Sequence, residues 1–416
     1  MNSTNSNYEK KPGSSMYLLW FTIVFLVLSI AYAYLGWRLI TPARLVSPWN
    51  ILAWTVLTIL FVLPLVSVML MRYYESLTDP FSWIAYVGLG LLSFVITLLI
   101  ARDIIWLVWR GLEKGYSLVQ GLFSAPLVKT PIDHARRDFI LQMSNLAVVG
   151  ISTILTTYGI FEARRKPDIV RIKVPISGLD QSMNGFRIVQ ITDIHAGLTI
   201  KREWIETITR EVQALQPDLI AFTGDLADGT VPHLAAHVTS LGKLQAPCGK
   251  YFVTGNHEYF TDVESWIEEV KRLGFDVLIN EHRVIRHNGS SFVLAGVTDP
   301  SAEYFLPDHK TDPERSIRDS TTETIRILLA HQPNSLYQAN KLGFDLVISG
   351  HTHGGQFFPW NLVAAIGQPY ISGLHHHNGT WIYVSRGTGY WGPPVRLGAR
   401  SEITVITLEK GIYNKT

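Results

Sequence analysis

An α/β domain behind an all-α membrane segment of about four helices is the fold class this sequence predicts. Three observations predict it. Long apolar stretches crowd the chain before about residue 160. From about residue 165 onward, short apolar runs alternate with stretches whose apolar residues recur at helical spacing. Short runs in this second half end in residues able to bind a hard or borderline cation: Asp193 and His195, Asp225, Asn256 and His257, His331, and His351 and His353. Buried strands that all deliver carboxylate, imidazole or amide groups at their carboxyl ends describe a polar pocket at one rim of a sheet.

Taken in order, residues 16–36 and 49–71 are each long enough to cross a hydrocarbon layer about 30 Å thick, and neither carries a charge. Residues 81–101 form a third candidate, stopped by Arg102 and Asp103, and residues 139–159 a weaker fourth that carries Gln142, Ser144 and Asn145. Between them, residues 104–123 mix Trp, Leu and Val with Arg110, Glu113 and Lys114, as an interfacial helix or an extension of the third span would. Residues 1–160 therefore read as a membrane anchor. No ionisable side chain lies inside the four stretches, which argues against a transport path. Pro64 and the amides of the fourth stretch read as a kink and as helix–helix hydrogen bonds.

Basic residues leave the orientation open. Arg38, Arg44, Arg102, Arg110, Lys114, Lys129, Arg136 and Arg137 on one side are balanced by Lys10, Lys11, Arg72, Arg164, Arg165, Lys166, Arg171 and Lys173 on the other. Arg136-Arg137-Asp138-Phe139-Ile140, ahead of the fourth stretch, resembles a twin-arginine export signal. A multi-pass cell-membrane protein with its C-terminal domain on the extracytoplasmic face is the resulting expectation.

The chain has 416 residues, 47% of them hydrophobic, and a net charge of +2. With no Lys/Arg-rich stripe beside aromatic stacking positions, that balance argues against a nucleic-acid partner. The single cysteine, Cys248, excludes an intrachain disulfide and a zinc site built on paired thiolates. Any metal must sit on His, Asp and Asn.

After a basic linker, Arg164–Lys173, the first strand candidate is Phe186–Thr192, followed by Asp193 and His195, whose side chains point the same way on extended chain. The next run, Asp218–Phe222, leads to Gly224, which permits a sharp turn, and so to Asp225, with Asp228 three residues further on. Trp204, Ile205, Ile208, Val212 and Leu215 between these runs make a β-α-β unit. Lys250–Thr254 ends in Gly255-Asn256-His257-Glu258, and helix-period residues Val263, Trp266, Ile267, Val270 and Leu273 return the chain to the sheet. Arg326–Ala330 then delivers His331, and Asp345–Ser349 delivers Gly350-His351-Thr352-His353-Gly354-Gly355-Gln356. The histidines at 351 and 353, boxed by glycines, need a loop rather than a packed strand.

This order of Asp-x-His, Gly-Asp-x-x-Asp, Gly-Asn-His-Glu, His and Gly-His-x-His resembles the calcineurin-like metallophosphoesterase superfamily, and the last motif resembles its membrane-associated bacterial branch. The resemblance covers about residues 168–410 and implies a two-sheet α/β/β/α sandwich over residues 165–416. It implies one metal held by Asp193, His195, Asp225 and His353, and a second that shares Asp225 with Asn256, His331 and His351. Arg400-Ser401-Glu402-Ile403 departs from a Pro-Glu-Ile common in relatives, at the start of a strand. The implied activity is hydrolysis of a phosphoester or pyrophosphate by a metal-bridging hydroxide.

Two divalent ions, manganese, iron or zinc, suit a thiolate-free donor set, with manganese favoured. His257 is expected to protonate the leaving oxygen or to neutralise its developing charge, with Asp228 orienting it, and Arg386 is a candidate phosphate contact. His375-His376-His377 is expected in a solvated loop. Phe357-Phe358-Pro359-Trp360 and Tyr390-Trp391 place aromatic groups beside the pocket or at the edge of the core. The bilayer is an expected partner, and a phospholipid or nucleotide-linked lipid the leading substrate class. Alternatives are a tethered phosphodiesterase for soluble nucleotides and a metal-binding sensor or scaffold without catalysis.

Overall fold

The computed structural model describes residues 14–70, 75–123, 133–320 and 325–411. Lys10, Lys11, Met71, Arg72 and Lys129, used above, lie outside them. Among the described residues two compact units emerge, one within Ser15–Val68 and Ile84–Tyr158, the other within Met69–Trp83 and Gly159–Thr416.

The first unit is built on four long helices: α1 (Ser14–Leu35), α2 (Trp49–Leu70), α3 (Glu75–Phe123) and α4 (His134–Arg164). Four helical stretches among the described residues, Thr22–Ala43, Trp49–Ser67, Phe81–Gln120 and His134–Arg164, are long and apolar enough to cross a membrane, and Pro64 lies inside α2. Helix α3 runs through Arg102 and Asp103 without a break, so residues 104–123 extend the third stretch rather than forming a separate interfacial helix, and the whole is about 70 Å long at the α-helical rise.

The spans also contain ionisable groups, because the chain stays helical past Leu35 and carries Arg38 into the bundle. Arg38 ion-pairs with Asp103, and the Tyr34 hydroxyl donates to the same carboxylate at 2.8 Å. Arg102 donates to Asn145 and, at 3.2 Å, to Ser144, while the Asn145 amide donates to the Arg38 carbonyl at 3.0 Å. These groups satisfy one another sideways, so α3 has no need to end where its charges begin.

The second unit holds two six-stranded sheets. Its strands are β1 (Asp168–Ser177), β2 (Arg187–Ile191), β3 (Leu219–Phe222), β4 (Lys250–Phe252), β5 (Asp276–Val277), β6 (Glu281–His287), β7 (Ser290–Gly296), β8 (Arg326–Leu329), β9 (Leu346–Ser349), β10 (Gly373–His377), β11 (Thr380–Val384) and β12 (Glu402–Gly411). One sheet has the order β1-β12-β2-β3-β4-β5 and the other β10-β11-β9-β8-β7-β6. Strands β2 to β5 are parallel, as are β7, β8, β9 and β11.

Three apolar layers follow from strands buried on both faces. Ile188, Leu219 and Val253 meet Leu294, Ile327 and Ile348 between the sheets. Val189, Ile220 and Phe252 face α5 (Arg202–Ala214) and, beyond the short α6 (Asn256–Thr261), α7 (Val263–Arg272), through Ile205, Ile208, Trp266 and Val270. Val293, Leu328 and Val347 face α8 (Leu336–Lys341) through Leu336 and Ala339. The result is the four-layer α/β/β/α sandwich.

Two further segments differ from expectation. From Asp168 the basic linker is strand β1, paired in parallel with β12: Arg171 and Lys173 alternate with Ile172 and Val174, and only the later positions, Val174 and Ile176, are buried. His375-His376-His377 is not a loop but part of edge strand β10, where His375 stacks on Tyr370 with ring centroids 4.1 Å apart.

Candidate metal centre

Register places the donors. In the first sheet Ile191 lies opposite Phe222 on parallel neighbours, so Asp193 and Asp225 leave adjacent strand ends at the same height. In the second, Leu329 lies opposite Ile348, which sets His331 beside His351. Asp193, His195, Asp225, His351 and His353 all adopt left-handed backbone, with φ between 52° and 72°. Such conformations are costly for residues with a side chain and turn each donor back over its sheet end. Gly224, at φ +90°, does the same without that cost, and a Cβ there would come within 2.5 Å of the Gly255 nitrogen. A Cβ at Gly350 would collide with the Asp193 carboxylate.

The sequence-predicted donors gather in two neighbouring groups, one around Asp193, His195 and His353 and one around Asp225, His331 and His351. At the first, His195 Nε2 lies 3.0 Å from His353 Nε2 and 3.7 Å from Asp225 Oδ2, and His353 Nε2 lies 3.6 Å from Asp193 Oδ1. At the second, His331 Nε2 lies 3.1 Å from Asp225 Oδ2, 3.2 Å from Asn256 Oδ1 and 3.1 Å from His351 Nδ1. Donors bound to one ion at about 2.1 Å stand about 3.0–3.4 Å apart; the spacings in the second group and the His195–His353 spacing fall in that range, while the two contacts to Asp225 and Asp193 in the first group are a few tenths of an ångström wider. Nothing but a proton or a metal reconciles imidazole and carboxylate lone pairs aimed at one another. The chemistry of the set, nitrogen and oxygen without sulfur, fits a divalent ion. His195, Asp225 and His257 also approach one another closely enough to form a third grouping, with His257 Nε2 3.9 Å from Asp225 Oδ2.

Charges within the cluster are strongly perturbed. Burial drives the His351 pKa down to about 3, with the nearby His331 charge adding to the effect, which leaves a free lone pair. Burial acts against the Asp228 carboxylate, but His195 and His257 outweigh it and hold the group well below the usual range. Asp228 Oδ1 stands 2.8 Å from His195 Nδ1 and 2.7 Å from His257 Nδ1, so one carboxylate orients both rings. For His257, burial lowers the pKa, yet Asp225 and Asp228 together raise it to about 9. Arg386, expected as a phosphate contact, donates its Nε to Glu402 at 2.6 Å and packs beside Gly354.

Some supporting residues carry no signal in a list of donor types. Glu258, quoted only as the end of a motif, is fully buried and accepts from the backbone nitrogens of Asp225 at 3.1 Å, Leu226 at 2.8 Å and Gly255 at 2.7 Å. Glu258→Ala is expected to strand those three N–H groups and cost about 3 kcal/mol or more. Thermal unfolding checks it, and an unchanged midpoint would remove Glu258 from this role. Thr192 donates to Asp193 Oδ2 at 2.7 Å and Gln190 bridges the sheets to Thr223 and Ser349, both recognisable only once the strands are paired. Arg396 is wholly buried behind His353 and donates to the carbonyls of Arg386, Gly389 and Ala399. Glu402 lies at the start of β12 and also accepts from Tyr383, so the departure noted in sequence at that point leaves its carboxylate in use.

A profile described as calcineurin-like phosphoesterase matches residues 186–355. A Danio rerio protein described as a transmembrane protein with metallophosphoesterase domain is 40% identical over 268 residues, 62% of this chain and 61% of that protein. The chain thus spans less than two thirds of that relative's length. A Bos taurus protein of the same description is 36% identical over 340 residues, 79% of this chain and 74% of that protein. An uncharacterized metallophosphoesterase of Helicobacter pylori is 34% identical over 274 residues, 64% of this chain and 71% of that protein. The likeness reaches vertebrate as well as bacterial proteins.

Proposed function

The chain belongs to the calcineurin-like metallophosphoesterase family, and from that premise we propose a membrane-anchored, dinuclear-metal phosphoesterase that cleaves a lipid-linked phosphoester or pyrophosphate. The observation that carries the reading is the filled donor set in two neighbouring groups with Asp225 between them. Asp193, His195, Asp225 and His353 would hold one ion; Asp225, Asn256, His331 and His351 would hold the other. When bound, such a pair neutralises phosphoryl oxygens and makes water nucleophilic at neutral pH. Manganese is the favoured occupant, with iron and zinc compatible.

The chain's own residues divide the remaining work. Asp228 fixes the Nδ1 of His257, which leaves Nε2 facing the pocket to give a proton to the departing oxygen. Asn256 supplies a neutral carbonyl where a further carboxylate would repel phosphate. Arg386, against the metal loop, is the candidate for a phosphate oxygen.

A lipid-linked substrate is supported by the four membrane-crossing helices that the same chain carries. Arg136 and Arg137 at the start of α4 support the extracytoplasmic face. Full-length protein in membranes, supplied with manganese, is expected to hydrolyse members of a phospholipid and nucleotide-lipid panel. Cleavage of soluble nucleotides alone would instead make it a tethered nucleotide phosphodiesterase, and no cleavage at all with normal metal content would make it a sensor or scaffold. Digestion of the domain by protease added to intact cells checks the face.

A further inference from the structure

Phe357–Ile366, immediately after the metal loop, contains no charged residue. Phe357 folds in, but the side chains after it are held out: Phe358 is 52% exposed, Trp360 48%, Leu362 58% and Ile366 79%. Among the described residues from Asp168 onward, exposed large apolar side chains are concentrated in this stretch, which includes the short helix α9 (Trp360–Ala364). Phe260 and Trp391, both also exposed, flank His257, their rings 5.2 and 5.7 Å from its ring.

The stretch is fixed at both ends. Gly355 has no room for a Cβ because α9 lies against it, and the Gln368 side chain accepts from Asn334 N at 3.1 Å and donates to Gln332 at 3.1 Å. Gln356 ties the Trp391 loop to the same platform, its amide donating to the Trp391 carbonyl and accepting from the Trp391 nitrogen, each at 3.0 Å. A flexible tip would collapse onto apolar neighbours; this one is propped outward. Soluble surfaces do not gather uncharged, exposed aromatic and branched side chains into one patch without an apolar partner.

We propose that Phe358–Ile366, with Phe260 and Trp391, is a docking surface for a lipid bilayer, which seats the metal pocket on the headgroup layer and admits a phosphoester still embedded in the membrane. This rests on the phosphoesterase reading and adds how the substrate reaches the site. A bilayer is the occupant because the same chain carries four helices long and apolar enough to cross one, and because the patch pairs tryptophans with aliphatic side chains, the composition of interfacial anchors.

The test uses the full chain in lipid nanodiscs with Cys248→Ser and one new cysteine carrying an environment-sensitive dye, at Ile366→Cys or Trp360→Cys. Arg286→Cys serves as control, an exposed position near the β6–β7 turn at the end of the second sheet remote from the metal loops. Lipids bearing a nitroxide on the acyl chain are expected to quench the dye at Ile366 and Trp360 about twofold more than at Arg286. Quenching equal to the control overturns the proposal. So does a blue-shifted but unquenched dye, which would mean that protein, including a second copy of this chain, covers the patch. Metal content and hydrolysis are measured on unlabelled protein, so a failed phosphoesterase reading is told apart from a failed docking surface.

Discussion

Asp225→Asn is expected to reduce hydrolysis of bis(p-nitrophenyl) phosphate by about 10³-fold or more, the scale on which removal of a central electrostatic group acts. The carboxylate has Oδ2 3.1 Å from His331 Nε2 and 3.7 Å from His195 Nε2, which sets it between the two donor groups, while Oδ1 accepts from the His257 backbone nitrogen at 3.0 Å. Asparagine keeps the shape and one carbonyl, but replaces an anionic oxygen with a neutral group and a donor. Cations bound by the two donor groups would then lose the negative charge that offsets their repulsion. Metal analysis on the same samples should show loss of an ion per chain. Undiminished hydrolysis would mean that Asp225 does not join the two positions, and the dinuclear reading would fail.

His257→Ala is expected to act differently. General acid catalysis is typically worth about 10²–10⁴-fold, and the loss should fall in that range while metal content stays near normal. The distinction comes from geometry: Nδ1 is held by Asp228 at 2.7 Å, and Nε2 lies 3.9 Å from Asp225 Oδ2, at the edge of the cluster rather than within either ligand set. The defect should grow with the pKa of the leaving alcohol and shrink for p-nitrophenolate, which departs without a proton. A variant stripped of metal would instead assign His257 to the third donor grouping.

The donor-bearing strand ends were legible because each obeys a local rule: an apolar run, then a glycine or a turn, then a polar group. Strands β2, β3, β4, β8 and β9 fall within the runs read from sequence. Strand β1 was not legible, because its partner β12 is more than two hundred residues away and edge alternation of Arg, Lys, Ile and Val resembles a linker. Arg102 and Asp103 look like a span's end when neighbours in sequence are weighed alone. Their partners Arg38, Tyr34, Ser144 and Asn145 come from other helices. Glu258 and Arg396 were missed for the same reason, since both act on backbone groups that only the folded chain assembles.

The left-handed backbone of Asp193, His195, Asp225, His351 and His353 has a consequence for how this sequence can change. Each is a point of local frustration that the surrounding sandwich must carry, at about 1–3 kcal/mol apiece. Glycine or asparagine at these positions would relax the chain. Selection for heat resistance alone therefore drifts toward dismantling the centre, and chains made more robust by that route should grow quieter as catalysts.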